Sequence, residues 1–192
     1  MQNFSLCRLR NISYLIAKNN WLLTTDFLPA SLHIDFKRLA CALQAGLARH
    51  ADEQTIVFYG ACHPGMDKML NEAHTLRTPG QNCIEMLLGA EEFNQELTKG
   101  AFFLLEDWVR NWDAVVAKTF GSNISVIRDI FHDRHRYLLC LRTPQSDDFS
   151  QDVTHISDML DLPVQWRDVS LDHLESVLHA AIGHKLESLH AQ

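Results

Sequence analysis

The sequence lacks any concentration of positive charge. Its 192 residues include 17 lysine and arginine residues against 24 aspartate and glutamate residues, which gives a formal net charge of −7 at pH 7 with histidine neutral. Nucleic-acid binding and attachment to an anionic membrane surface both depend on clustered lysine and arginine. The composition therefore argues against both kinds of partner.

Long hydrophobic runs are also missing. No apolar stretch approaches the roughly 20 residues that a membrane-spanning helix needs, and the N-terminal sequence lacks the cationic start, apolar block and cleavage site of a signal peptide. We therefore expect a cytoplasmic protein with reduced thiols. Five cysteines are an odd number, and in that compartment they indicate buried residues or reactive groups rather than a disulfide framework.

Common catalytic and nucleotide-binding motifs are absent as well. The sequence contains no G-x-x-x-x-G-K-[ST] loop, no G-x-G-x-x-G after a strand and no G-x-S-x-G turn, which excludes a P-loop, a standard dinucleotide site and a serine-hydrolase elbow. It also lacks the D-x-H-x-x-G motif expected of a corrinoid-binding protein. Any chemistry must come from other residues.

Strands and helices alternate along the whole chain. Short apolar runs such as TIVFYG, GAFFLL and RYLLCLRT predict buried strands, and the segments between them have the 3.6-residue period of packed helices. This alternation is typical of an α/β fold, with an open, mostly parallel, Rossmann-like sheet between two layers of helices. We predict a single domain over residues 1–192 that ends in an amphipathic helix at about residues 170–190.

Two predicted strands decide where the candidate site residues lie. The first is a short strand over Phe4–Cys7, and the second is a central strand over residues 55–60. Ligands bind outside the carboxyl ends of the strands in open α/β sheets. Gly60 permits a tight turn after the central strand, so Cys62 and His63 are predicted to stand at this edge of the sheet.

Cys62 is the first candidate for chemistry. A helix N-terminus can lower the pKa of a thiol at its entry, which makes the thiol a nucleophile or a metal ligand; the alternative is a small buried hydrophobic residue. His63 and His33 are candidate general acids or bases, and His63 is also a candidate fourth metal ligand. The alternative for each histidine is a surface or capping role.

Cys83 and Cys7 complete the candidate set. Cys83 follows the turn sequence TPGQN at a predicted helix start, with Asn82 as a candidate N-cap, and Cys7 closes the predicted first strand. Three thiolates that converge at one edge of the sheet suit zinc or an iron–sulfur cluster with one open position. Cys7, Cys62 and Cys83 are therefore the predicted metal ligands, although no spacing matches a C-x-x-C pair and simple packing is the alternative for each.

Other candidate residues indicate structural roles. Cys41 and Cys140 lie inside a predicted helix and a predicted strand, so we expect both in the core. Glu106 and Asp107 follow a predicted strand. They either line the same cleft or interact with the dipole of the next helix as first-turn acids, and we favour the second interpretation.

Four blocks of the sequence resemble the family of the domain of unknown function 1638. They are FLPASLH, IVFYGAC, NCIEMLLG and GAFFLLEDW, in the family's order. The family comprises bacterial and archaeal proteins of about this size, and the resemblance extends from Cys7 to the strand near Trp166. It implies that Cys7, Cys62 and Cys83 match cysteines that recur in the family.

The resemblance also implies a function. Family genes often lie near corrinoid-dependent methyltransferases, which implies a cysteine-based metal or cofactor site with a catalytic or accessory role in methyl-group metabolism. This chain departs from the family pattern at three positions. His63 and Asp107 replace glycine, and Asn82 replaces a charged residue or histidine.

Three functions follow as hypotheses. The first is a zinc or iron–sulfur protein, either an enzyme or an accessory factor in one-carbon or cofactor metabolism, that acts on a small-molecule substrate or with a partner methyltransferase. The second is an accessory protein for a corrinoid or a methyltransferase that has no catalytic activity. The third is a metal-free thiol enzyme in which Cys62 is the nucleophile and His63 or His33 is the base.

Overall fold

A computed structural model describes residues 7–28, 32, 35–61 and 63–190, apart from the side chains of residues 7–9, 189 and 190. The chain divides into two compact units. Unit one comprises Met1–Ile34 and Phe93–Ser170, and unit two comprises Asp35–Glu92 and Leu171–Gln192.

Helices and strands alternate along the described residues, as the sequence pattern predicted. The elements in chain order are α1 (Cys7–Lys18), α2 (Phe36–Arg49), β1 (Ile56–Val57), α3 (Met66–Glu72), β2 (Leu76–Arg77), α4 (Cys83–Leu88), α5 (Ala90–Thr98), β3 (Ala101–Leu104), α6 (Glu106–Arg110), α7 (Trp112–Phe120), α8 (Ile124–Arg134), β4 (Tyr137–Arg142), α9 (Ser150–Leu160), β5 (Val164–Asp168) and α10 (Asp172–His190).

The sheet of unit one has three parallel strands in the order β3-β4-β5. The central strand β4 is buried from Tyr137 through Leu141, which agrees with its nearly continuous apolar sequence. Helices α6 to α9 contribute apolar side chains to the same core. Its members are Leu104, Val109, Trp112, Val116, Ile127, Phe131, Leu138, Cys140, Phe149, Val153, Ile156, Leu160 and Leu162.

The sheet of unit two consists of β1 and β2, which pair in parallel through Ile56 with Leu76 and Val57 with Arg77. Helix α10 packs against α4 and β1. Every described strand pair is therefore parallel, and helices surround both small sheets. This confirms the predicted α/β class, and the arrangement is compatible with a three-layer fold.

The predicted first strand is wrong at Cys7, because this residue begins helix α1. The rest of that prediction, residues 4–6, lies outside the described residues. The segment folds as a helix because Ile12 and Leu15 are three residues apart and both are buried, with Asn11 buried beside them. A 3.6-residue period therefore places one face of α1 in the core.

The predicted central strand is shorter than residues 55–60. The ladder ends at Val57, whose carbonyl accepts hydrogen bonds from the N–H groups of both Thr78 and Tyr59, at 3.0 and 3.1 Å. The bond from Tyr59 spans only two residues, so the chain turns at Phe58. The apolar run continues past the point where the backbone leaves the sheet.

The C-terminal helix agrees with its prediction. Helix α10 spans Asp172–His190 and buries Leu174, Val177, Leu178 and Ala181, at the three- and four-residue spacings of an amphipathic helix. None of the helices in the described part of the chain has the length and apolarity that a membrane span requires.

Candidate thiol site

The predicted ligands belong to different parts of the chain. Cys83 is the first residue of α4 in unit two, and its free thiol is half-buried. Cys7 is the first residue of α1 in unit one, but its side chain lies outside the described residues. Cys62 and His33 also lie outside them, so their predicted roles stay predictions.

The helix that begins at Cys83 has a well-formed N-cap, as the sequence predicted. The Asn82 side-chain oxygen accepts hydrogen bonds from the N–H groups of Ile84 and Glu85, both at 3.0 Å. The Glu85 carboxylate in turn accepts one from the Gln81 N–H at 3.2 Å. These bonds fix the backbone on both sides of Cys83, and they place its thiol in the first turn of the helix.

The backbone that precedes position 62 lies directly against the backbone that precedes Cys83. The Ala61 N–H donates to the Gln81 carbonyl at 2.8 Å. A Cβ atom at Gly60 would lie 2.5 Å from the same oxygen and 2.6 Å from the Cα atom of Asn82. Only glycine permits this approach, which explains the residue type at position 60.

His63 is half-buried and has a defined orientation. Its Nδ1 atom accepts a hydrogen bond from the Gly65 N–H at 2.9 Å, and its ring makes an edge contact with Phe36 at 5.8 Å between centroids. A backbone N–H can only donate, so Nδ1 carries no proton. The neutral ring therefore carries its proton on Nε2, where it is a hydrogen-bond donor.

A complete metal-binding cluster is not found among the described residues. Within 7–28, 32, 35–61 and 63–190, no three histidine, cysteine, aspartate or glutamate side chains are grouped so that they could hold a metal ion. Of the three predicted ligands, this observation includes only the Cys83 thiol, since the other two thiols are not described. The three-cysteine site therefore stays a prediction.

The other two cysteines differ from each other. Cys140 is fully buried in β4 as predicted, and burial raises the pKa of its thiol to about 12. The prediction for Cys41 is wrong, because this residue is exposed on α2. The buried face of that helix is defined by Leu39 and Leu43, and position 41 points away from it.

A buried carboxylate at the carboxyl end of β3 is the main polar feature that the sequence reasoning missed. Glu106 is 2% exposed. Its carboxylate accepts hydrogen bonds from Arg10 at 3.0 and 3.1 Å and from Arg110 at 2.8 Å, and the N–H of Asp147 donates to it at 3.1 Å. The hydrogen bond with Glu106 raises the pKa of Arg110. Two sequence signals pointed to this role: the position of Glu106 after a strand, and the four-residue spacing from Glu106 to Arg110.

A second buried carboxylate lies in unit one. Glu96 is paired with Lys99 at 2.8 Å and with Arg167 at 3.1 Å, and it accepts a short hydrogen bond from the Tyr137 hydroxyl. The bond with Lys99, followed by that with Tyr137, lowers the pKa of Glu96 to about 2 despite its burial. Burial and the same carboxylate raise the pKa of Tyr137 to about 12. These groups stabilise the unit rather than form an open site.

Comparison with known proteins adds one match. A family model described as a protein of unknown function, DUF1638, matches residues 27–178, about four fifths of the chain. The matched residues include Cys62, His63 and Cys83, whereas Cys7 precedes them. No curated protein and no solved structure matches the chain.

Proposed function

The chain belongs to the DUF1638 family, and from its own residues we propose that it is a cytoplasmic metal- or iron–sulfur-binding protein with cysteine ligands. Cys7, Cys62 and Cys83 are the proposed ligands of zinc or of an iron–sulfur cluster. The protein would be an enzyme or an accessory factor in one-carbon or cofactor metabolism, with a small-molecule substrate or a methyltransferase as its partner.

The observation that supports this proposal best is the backbone contact between residues 60–61 and 81–82. Position 62 follows Ala61 by one residue, and Cys83 follows Gln81 by two. The hydrogen bond between Ala61 and Gln81 therefore connects both cysteines to one fixed point of the backbone. Two segments that are distant in sequence but held together in this way are suited to supply ligands to one metal.

The environment of Cys83 fits a thiolate ligand. Its position in the first turn of α4 places it at the end of the helix that carries the positive partial charge. Soft thiolates select zinc or iron–sulfur clusters. A bound zinc ion or open iron would supply Lewis-acid activation of a substrate.

Helix α1 supports a place for Cys7 near a sheet edge, although not at the end of a strand. Arg10 and Asn11 follow Cys7 by three and four residues, which is about one helical turn. Their side chains contact Glu106 and Thr143, which follow the carboxyl ends of β3 and β4. The start of α1 is therefore one turn from the edge at which parallel α/β sheets bind ligands.

The tautomer of His63 argues for a role other than that of fourth ligand. Metal binding at Nε2 would move the ring proton to Nδ1, where the Gly65 N–H already donates. We assign His63 as a hydrogen-bond donor through Nε2, to a thiolate or to a substrate. The fourth coordination position is then available to the substrate.

Anaerobic purification followed by metal and sulfide analysis tests the proposal. We expect about one zinc ion or one cluster per chain in the wild-type protein, and its loss in Cys62→Ser, Cys83→Ser and Cys7→Ser. Cys41→Ser is the matched control, because Cys41 is exposed on α2 and belongs to no proposed site. A wild-type protein that contains no metal, or metal retained in all three ligand variants, would overturn the proposal.

A metal-free thiol enzyme is the second candidate, favoured by the Nε2 proton of His63. In that case Cys62 is the nucleophile and His33, the other predicted base, accepts the proton of its thiol, while His63 donates a hydrogen bond to the thiolate or to an oxygen of the substrate. The Cys7→Ser variant separates the candidates. It should lose metal in the first and leave the alkylation rate of Cys62 by iodoacetamide unchanged in the second, measured in a Cys41→Ser background.

A further inference from the structure

The carboxyl ends of β3 and β4 carry a polar cluster that is independent of the cysteines. The two strands are parallel neighbours, and ligands of α/β sheets bind where such strands end. Three segments meet there: α1, the short helix α6, and the loop between β4 and α9. They contribute Arg10, the pair Glu106 and Arg110, and Asp147 respectively.

Two guanidinium groups share one buried carboxylate in this cluster. Glu106 is 2% exposed, while the side chains of Arg10 and Arg110 are 30% and 42% exposed. Each arginine is therefore anchored by the buried Glu106 carboxylate, while part of its side chain is exposed to solvent. Counting only Glu106 and these two arginines, two positive charges face one negative charge, and the planar guanidinium fork matches the geometry of a carboxylate.

The loop between β4 and α9 supplies the anion that now balances this charge. The Asp147 carboxylate lies 2.9 Å from Arg10 Nη1, and its side chain is 64% exposed. An ion pair with a carboxylate as exposed as this is weak. The ion pairs of Arg10 and Arg110 with the buried Glu106 carboxylate are instead costly to break. The Asp147 carboxylate is therefore the exchangeable partner of Arg10.

We propose that Arg10 and Arg110 form a binding site for a monoanionic carboxylate ligand, and that Asp147 occupies the ligand's place in its absence. The surrounding acids restrict the ligand charge. Asp152 lies 4.0 Å from Arg110, which also donates to the main-chain carbonyl of Asp148 at 3.4 Å, and the Asp148 carboxylate accepts a hydrogen bond from the Ser150 N–H. These negative charges repel a dianion such as phosphate more strongly than a monoanion.

A further arginine among the described residues at this edge, Arg142, has other partners. Arg142 makes a bidentate pair with Asp168, at 2.8 and 3.2 Å, and stacks over the ring of Trp166 at 5.1 Å. Asp168 is 79% exposed, so it is at least as accessible as Asp147, but it pairs with Arg142 and not with Arg10. This difference makes Asp168→Asn a matched control for the loss of one exposed acid.

Titration with sodium acetate tests the proposal, with binding followed by NMR of the arginine Nε–H resonances. If Asp147 occupies the site about nine tenths of the time, Asp147→Asn tightens acetate binding about tenfold, with shifts at Arg10 and Arg110. The Asp168→Asn variant should bind acetate as the wild type does. Sodium phosphate at the same ionic strength should bind Asp147→Asn more weakly than acetate does.

Three results would overturn the proposal. The first is an unchanged acetate affinity in Asp147→Asn, and the second is an equal gain in Asp168→Asn, which would indicate a general charge effect. The third is tighter binding of phosphate than of acetate. None of these results depends on whether the cysteines bind metal, so failure of this proposal is distinct from failure of the thiol site.

Discussion

The sheets of the two units differ in the length and the burial of their strands. Unit one has strands of four to six residues, and five consecutive residues of its central strand are buried between helices. Unit two has two strands of two residues each, and only Val57 among those four residues is buried. The first unit is a packed scaffold, whereas the second relies on loops and short helices, which is where reactive groups commonly lie.

The polar groups of the two units differ in burial, as their strands do. In unit one, Glu96 and Glu106 are buried and each is bonded to at least two cationic side chains. In unit two, the thiol of Cys83 and the Nε2 atom of His63 are half-buried and are fixed mainly by the backbone around them. Buried charges stabilise the first unit, whereas these two side chains of the second unit are partly exposed.

The largest expected effect comes from the removal of a buried charge in unit one. Glu106→Ala leaves two guanidinium groups without their shared carboxylate, and we expect the free energy of unfolding to fall by about 4 kcal/mol. Denaturant unfolding measures it. The control in unit two is Asp67→Ala, which removes an exposed pair with Arg77 and should cost less than about 1 kcal/mol. Equal losses would contradict the contrast between the units.

The contrast between the two units also shows which features the sequence could predict. The apolar run of β4 and the N-cap at Asn82 are local signals, and both predictions are confirmed. The cluster at Glu106 was not predictable, because Arg10 is 96 residues away and nothing local pairs them. Cys41 shows a third case, since the prediction placed it in a helix but assigned it to the wrong face.

A pH-dependent contribution in unit one is the next largest effect. The pKa of Glu96 falls from 4.5 to about 2 on folding, and this side chain is 3% exposed. Its contribution is fully present above pH 4.5 and is lost as the pH falls through about 2, which corresponds to about 3 kcal/mol. Unfolding of the wild type and Glu96→Gln between pH 5 and pH 2 measures it, and a parallel pH dependence would refute it.

Substitution of Gly60 tests the backbone contact of unit two. A Cβ atom at this position would lie 2.5 Å from the Gln81 oxygen, so Gly60→Ala should lower the free energy of unfolding by about 2 kcal/mol and reduce metal binding. Gly183 is the matched control, because it lies in α10 with nothing within 4 Å of an added Cβ atom. Gly183→Ala should stabilise the protein by up to about 1 kcal/mol, and a similar gain in Gly60→Ala would disprove the close contact.

The smallest expected effect is in the aromatic part of the unit-one core. Trp112 is 3% exposed, and among the described residues its Nε1 atom has no hydrogen-bond partner. In Trp112→Phe, relief of that unpaired group offsets the lost packing, so we expect a change below about 1 kcal/mol. The neighbouring Phe131→Ala should cost about 4 kcal/mol. A loss in Trp112→Phe as large as that in Phe131→Ala, measured by denaturant unfolding, would contradict the offset expected from the unpaired indole N–H.

The central claim is that Cys83 and Cys62 bind one metal together with Cys7. X-ray absorption at the zinc edge of the zinc-loaded protein measures the number of sulfur ligands directly. We predict three sulfur atoms at about 2.3 Å in the wild type and in the control Cys41→Ser, and no stoichiometric zinc in Cys83→Ser. A zinc ion bound without sulfur, or an unchanged sulfur count in Cys83→Ser, would contradict the claim.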